Sequence, residues 1–314
     1  MKPQTCLVTR DDVDAAAGRI GHRVRVTPVV DLEPSAVGVE VALTLKLELL
    51  QHTGSFKPRG AFNKVLTTGA PAAGLVAASG GNHGLAVAHV ARELGVPAEV
   101  FVPTSSSAVK VARLRTYGAQ VTVTGDYYAD AYAASQWRAG ETGALVVHAY
   151  DQLETVAGQG TVGRELDQQR PAVDTVLVAV GGGGLVGGIA AWFSGRARVV
   201  AVEPERIPTL AAALDAGRGV DVEVGGVAAD SLGARRIGEV GLATAQAANV
   251  QSVLVTDRAI LQARQQLWDG VRVAGGAAAL AALTSGAYRP ARHERVAVVI
   301  CGGNTDPADL VPEA

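Results

Sequence analysis

The stretch from Thr175 to Gly195 carries no charged side chain and is long enough to imitate a membrane span, yet it contains four consecutive glycines, Gly181, Gly182, Gly183 and Gly184. Each glycine in a helix interior costs about 1 kcal/mol relative to alanine, so a strand, a loop and a new helix is a better solution than one long helix. The apolar run TVLVAV, Thr175 to Val180, then reads as a strand buried on both faces, as in parallel sheets covered by helices. RVVAVE and RVAVVI, which begin at Arg198 and Arg295, repeat the pattern. They predict further strands of the same sheet.

Elsewhere, short strand-like runs alternate with helical patterns, the signature of helices packed on parallel sheets. LVAAS at Leu75 to Ser79 leads into a helical pattern from Asn82 to Leu94, and AEVFV at Ala98 to Val102 into one from Ser106 to Tyr117. QVTVT and ALVVH follow in kind. VALTLKLE, Val41 to Glu48, alternates apolar and polar residues and predicts a half-exposed strand. The alanine-rich segment from Ala274 to Ala287 predicts a helix that packs closely. The expected fold class is α/β, with two open, twisted, mostly parallel sheets and flanking helices; no low-complexity linker marks where one domain ends.

Charge narrows the partners. Charged residues make up 18% of the chain and the formal net charge is −2, which offers neither nucleic acid nor an anionic membrane surface an electrostatic footprint. Cys6 and Cys301 are the two cysteines, with no paired spacing, so a disulfide framework and a cysteine-rich metal site are not expected. The opening MKPQTCLVTRDD lacks the apolar core of a secretory signal, and no further hundred residues follow Ala314 to form a regulatory module. A cytoplasmic protein without an appended effector domain is expected.

Four segments carry candidate chemistry. In TGSFKPRGAFN, Thr53 to Asn63, Pro58 suits a first helical turn and sets Lys57 at the helix start, where the positive end of the dipole favours a neutral, nucleophilic amine. Taken alone, Lys57 reads equally well as a solvated surface lysine. ASGGNHG, Ala78 to Gly84, forms a strand-to-helix junction whose N–H groups, with Ser79 and Asn82, can hold a carboxylate; an ordinary glycine-rich turn has the same sequence. His83 in that turn reads as a structural hydrogen-bonding residue as readily as a catalytic one. GGGGLVGG, Gly181 to Gly188, lets successive N–H groups converge on a phosphate, or lets a neighbour pack closely; it matches neither a dinucleotide nor a triphosphate fingerprint. VICGGNTDP, Val299 to Pro307, ends a buried strand at Cys301, whose thiol, with an ordinary pKa of about 8.5, is mostly neutral at pH 7. In isolation Cys301 is inert core.

Taken together and in this order, the four segments resemble the fold-type-II pyridoxal-phosphate enzymes, and most closely the threonine/serine dehydratases, over Thr53 to Asn304. The resemblance implies the fold of the tryptophan synthase β-like enzymes, with residues 1–73 and 149–314 forming a large cofactor-binding domain and 74–148 a small mobile one. It implies that Lys57 carries pyridoxal phosphate as a Schiff base and removes the substrate's α-proton, with Phe56 beside the cofactor and Asn82 on its ring oxygen. It also implies that Gly181, Gly182, Gly183, Gly184 and the following Leu185 hold the phosphate and that Cys301 faces the ring nitrogen. Ser79, Gly80, Asn82 and His83 would receive the substrate carboxylate, and the chain would pair as a homodimer. The activity implied is dehydration and deamination of L-threonine or L-serine to a 2-oxo acid and ammonia.

Two departures bear on the alternatives. Serine racemases of this fold carry a second serine where this chain has Gly80, and glycine has no proton to donate, so one-sided elimination is favoured over racemisation. Some relatives hold a divalent metal with a glutamate like Glu203 and an aspartate six residues later, where this chain has Thr209. With one carboxylate missing, a monovalent cation or no ion fits as well as a divalent one. A hydroxyaspartate dehydratase remains an alternative substrate class. A β-replacement synthase is disfavoured by Lys57-Pro58-Arg59 where those enzymes read Lys-Asp-Arg, and a silent cofactor-binding protein by the intact lysine motif.

Overall fold

The computed structural model describes residues 7–305; Cys6, Asp306 and Pro307 lie outside them. The first half of the chain runs α1 (Arg10–Ile20), β1 (Val29–Leu32), β2 (Leu43–Leu47), α2 (Lys57–Thr68), β3 (Leu75–Ala78), α3 (Asn82–Leu94), β4 (Ala98–Val102), α4 (Ala108–Thr116), β5 (Gln120–Val123), α5 (Tyr128–Thr142) and β6 (Leu145–Val146). The second half runs α6 (Leu153–Gln169), β7 (Thr175–Ala179), α7 (Gly184–Phe193), β8 (Arg198–Pro204), α8 (Thr209–Ala216), α9 (Ala229–Leu232), α10 (Glu239–Ala247), β9 (Gln251–Val255), α11 (Asp257–Val271), α12 (Ala278–Thr284) and β10 (Val296–Ile300). Glycine ends several helices where the backbone must turn left-handed, as at Gly95 after α3, with φ 69°.

The strands form two sheets, a six-stranded one in the order β1-β2-β10-β7-β8-β9 and a four-stranded one in the order β5-β4-β3-β6. Among the described residues, only the β1–β2 pair of strands is antiparallel. In β7, Val176 and Val178 face a core shared with α6 and α7, while Leu177 and Ala179 face one shared with α11 and α12. A strand wetted on neither face reads as an unbroken apolar run, which is why TVLVAV was legible. Leu177 is fully buried, and truncating it to alanine would cost about 2–5 kcal/mol.

The smaller sheet is covered on one side by α2, α3 and α4 and on the other by α5, where Val76, Ala78, Phe101 and Ala131 make up the buried cluster. Among the described residues, no helix is long and apolar enough to cross a membrane.

β2 departs from expectation. The alternation in VALTLKLE predicts one wet face, but Leu43, Leu45, Lys46 and Leu47 are all buried. Lys46 is 0% exposed because its amine meets Glu165 Oε2 at 2.8 Å, Gln169 Oε1 at 2.9 Å and the Thr27 carbonyl at 2.8 Å. A charge enters the core when partners from distant segments satisfy it, and local alternation carries no sign of them. The alanine-rich helix is also shorter than its segment, spanning Ala278–Thr284.

Candidate active site

Lys57 opens α2, with Pro58 second in the helix, where a missing N–H is no loss. Its amine donates to the Ala149 carbonyl at 2.9 Å and lies 5.0 Å from the centre of the Phe56 ring. Burial lowers this amine's pKa to about 8, with Cys301 opposing the shift. The direction agrees with the sequence reading, but removal from water, rather than the helix terminus, is the leading cause.

Three of the four segments meet beside this lysine. Phe56 N–H donates to the Cys301 carbonyl at 3.1 Å and Gly303 N–H to that of Gly54 at 2.9 Å. The Asn304 amide donates to the Thr53 carbonyl and to Asn82 Oδ1, both at 2.7 Å. Burial raises the Cys301 thiol to about pKa 11, so it is protonated and uncharged at neutral pH. At the β3–α3 junction Ser79 Oγ accepts from Gly81 N–H at 3.2 Å, and no side chain caps α3. The first-turn N–H groups of Asn82, His83 and Gly84 therefore have no intrahelical acceptor. The His83 ring is committed elsewhere: Nε2 lies 2.7 Å from the Val147 carbonyl, and burial, reinforced by Lys57, lowers its pKa to about 3. A side chain at Gly80 would point toward Ser106 Oγ, 3.3 Å from its Cβ.

The glycine-rich loop serves two purposes at once. Gly183 has φ +88°, and a Cβ on Gly182 would overlap the Tyr150 ring, so close packing demands these glycines. The first i→i−4 bond of α7 is Gly187 N–H to the Gly183 carbonyl at 2.9 Å, which leaves the N–H groups of Gly184, Leu185 and Val186 without intrahelical acceptors. The Leu185 side chain is buried in the core, so its N–H is what it has to offer a ligand. Tyr150 follows Ala149, the residue that receives the Lys57 amine, and so joins this loop to the lysine.

A family model described as pyridoxal-phosphate dependent enzyme matches residues 20–302. The chain belongs to that family. Among its relatives, the L-threonine ammonia-lyase of Thermotoga maritima is 34% identical over 96% of this chain and 76% of its own length. The phenylserine dehydratase of Ralstonia pickettii is 34% identical over 96% of this chain and 95% of its own. The solved structure of maize serine racemase superposes with a TM-score of 0.88 at 30% identity, covering 96% of this chain and 95% of that one.

The residues present fit the family's cofactor. The unpaired N–H groups at the start of α7 suit a phosphate, the amine of Lys57 is close enough to neutral to condense with an aldehyde, and the Cys301 thiol is an uncharged neighbour for a ring nitrogen.

Glu203 is fully buried and capped by protein donors: Leu210 N–H at 2.7 Å, Ala211 N–H at 2.9 Å and Ser252 Oγ at 2.7 Å. Thr209 Oγ1 lies 3.2 Å from Glu203 Oε1 and donates to the Gly181 carbonyl at 2.7 Å. Among the described residues, no group of three or more His, Cys, Asp or Glu is arranged to hold a metal.

The sequence reading missed the support beneath Lys57. Arg59, two residues on and fully buried, forks onto Glu48 at 2.8 and 2.8 Å and onto Glu165 at 2.7 and 2.9 Å. The arginine was visible in the motif, but its partners lie on separate segments. Tyr150 and the Ala149 carbonyl were missed too, because a lone tyrosine in a loop carries no periodic signal.

Proposed function

We propose that this enzyme is an ammonia-lyase that converts a β-hydroxy amino acid, L-threonine or L-serine, into a 2-oxo acid and ammonia. The observation that carries the reading is the buried Lys57 amine, its pKa lowered to about 8, placed where the lysine, carboxylate-loop and cysteine segments meet. The two named lyases support it and the serine racemase shares the class of substrate, since threonine, phenylserine and serine all bear a hydroxyl on Cβ and differ only in the other β-substituent.

The first-turn N–H groups of α3, with Ser79, Gly80, Asn82 and His83 around them, bind and orient the substrate carboxylate. Lys57 Nζ takes the α-proton, for which an amine with a pKa near 8 is well matched. Bound pyridoxal phosphate supplies the electron sink for the charge left at Cα. Phe56, Lys57, Asn82, Cys301 and Gly181 to Leu185 hold that cofactor. The β-hydroxyl departs as water, and the released enamine hydrolyses to the oxo acid and ammonia. Gly80 offers no proton donor to the opposite face of Cα, which favours elimination over racemisation. Glu203 is held by the N–H groups of Leu210 and Ala211 and by the Ser252 hydroxyl.

Residues 74–148 form the half that closes over substrate, a reading supported by the thin cluster under α5 and by polar links to the other half, Lys110 with Asp230 of α9 and Arg113 with Asn304 after β10. The enzyme acts in the cytoplasm as a homodimer. The test is release of 2-oxo acid and ammonia from L-threonine, L-serine and hydroxyaspartate supplied separately to the holoenzyme, with Lys57→Ala as control. Product from threonine or serine that disappears in the control is expected; a bound cofactor with no product from any of them overturns the reading.

A further inference from the structure

A row of rings leads away from the lysine. His148 and Tyr150 flank Ala149, whose carbonyl receives Lys57 Nζ at 2.9 Å. Their ring centres are 4.7 Å apart and nearly perpendicular; Tyr132 meets His148 edge-on at 5.8 Å, and Tyr128 stacks on Tyr132 at 6.1 Å. These are the separations and edge-to-face angles that aromatic pairs prefer. Tyr128 and Tyr132 come from α5 on the smaller sheet, while His148 and Tyr150 lie on the chain returning to the larger one, so the row bridges the two halves. The inner end is fixed. Tyr150 rests on the glycine loop, and His148 Nδ1 accepts from Tyr150 N–H at 3.3 Å and Asp151 N–H at 2.9 Å. The outer end is open, with Tyr128 50% exposed.

Three groups on a substrate need places. The carboxylate goes to the start of α3 and the amine takes the place of the Lys57 amine, beside Ala149, and the β-substituent is assigned to the side chains that flank Ala149. An aliphatic wall would suit a methyl group, but this one consists of rings. Burial lowers the pKa of His148, so it is neutral at pH 7 and the row presents no cation to a β-carboxylate. We propose that Tyr128, Tyr132, His148 and Tyr150 form a subsite for an aryl β-substituent and that the enzyme's substrates include 3-arylserines. The proposal rests on the ammonia-lyase reading for its chemistry, which is unchanged: Cα–H and Cβ–O break, the Cα–Cβ double bond forms, and hydrolysis of the released enamine gives an arylpyruvate and ammonia. Water lost in the first step is regained in the second, so no oxidant is needed.

Tyr132 is the residue to test, because it links the fixed end of the row to the open one. With holoenzyme, kcat/KM for L-threo-3-phenylserine is expected to match or exceed that for L-threonine. Tyr132→Ala should lower the phenylserine-to-serine ratio of kcat/KM at least tenfold, about 1.4 kcal/mol, while Tyr132→Phe, which keeps the ring, restores it. Binding supplies a readout that needs no turnover. Calorimetric titration should give 3-phenylpropanoate a lower Kd than butanoate, and Tyr132→Ala should raise the former about tenfold. Turnover of threonine or serine with none of phenylserine overturns this inference and leaves the ammonia-lyase standing. If no amino acid is processed, the ammonia-lyase reading fails and the titration decides the subsite: equal affinity for the two carboxylates, or no effect of Tyr132→Ala, overturns it.

Discussion

Replacing Arg59 with methionine keeps the length of the side chain and removes the cation at the centre of a buried cluster. Arg59 and Glu48 are 0% exposed, and the arginine makes four short bonds to two carboxylates. The two acids are left in different positions. Glu165 keeps the Lys46 amine at 2.8 Å, whereas Glu48 retains the Thr27 hydroxyl at 2.5 Å and loses its cation. Breaking a buried pair from one side costs about 3–5 kcal/mol, because a charge stays behind without compensation. The unfolding free energy of the apoenzyme, from urea denaturation at constant ionic strength, should fall by that amount. Lys46→Met should cost less, about 1–3 kcal/mol, because Glu165 still holds Arg59. Combining Arg59→Met with Glu48→Gln should recover part of the loss, since the orphaned charge is then gone. A loss below about 1 kcal/mol for Arg59→Met alone would refute the reasoning, since it would mean that Glu48 is stable without its partner.

Three further outcomes follow from the site. Only a neutral amine condenses with an aldehyde, so uptake of pyridoxal phosphate by the apoenzyme, followed by absorbance, should accelerate with pH through a midpoint near 8, where burial sets the Lys57 pKa. A midpoint near the ~10.4 of an ordinary lysine would contradict it. The same shift has a stability consequence: between those two values the unfolded chain binds the extra proton at Lys57, so this residue's contribution to apoenzyme stability grows as pH rises through that window, against an opposite contribution from Cys301, and Lys57→Met should give a lower slope than the parent. Gly80→Ser places a hydroxyl beside Ser106 with a tight but adjustable 3.3 Å contact at Cβ, and chiral analysis should detect D-serine formed from L-serine in the variant. Its absence in a folded, eliminating variant would show that Gly80→Ser does not by itself bring racemisation.

What the sequence alone determined was everything whose cause is local. Glycine punctuation and apolar periodicity are properties of a few adjacent residues, so β4 at Ala98–Val102 and α3 at Asn82–Leu94 fall where the pattern puts them. The run of glycines after β7 likewise broke what could have been a span into strand, loop and helix. The chemistry-bearing segments were legible for the same reason, each being a short motif with its own backbone geometry. Tertiary structure decided what depends on partners far along the chain. Lys46 lies inside β2 rather than on a wet face because Glu165, 119 residues away, meets its charge. Arg59 supports the helix that Lys57 opens through Glu48 and Glu165, and the Lys57 pKa is lowered by burial that no single segment provides. The aromatic row also assembles only when α5 and the loop after β6 meet. Burial and charge pairing are sums over neighbours in space, and a sequence records neighbours only along the chain.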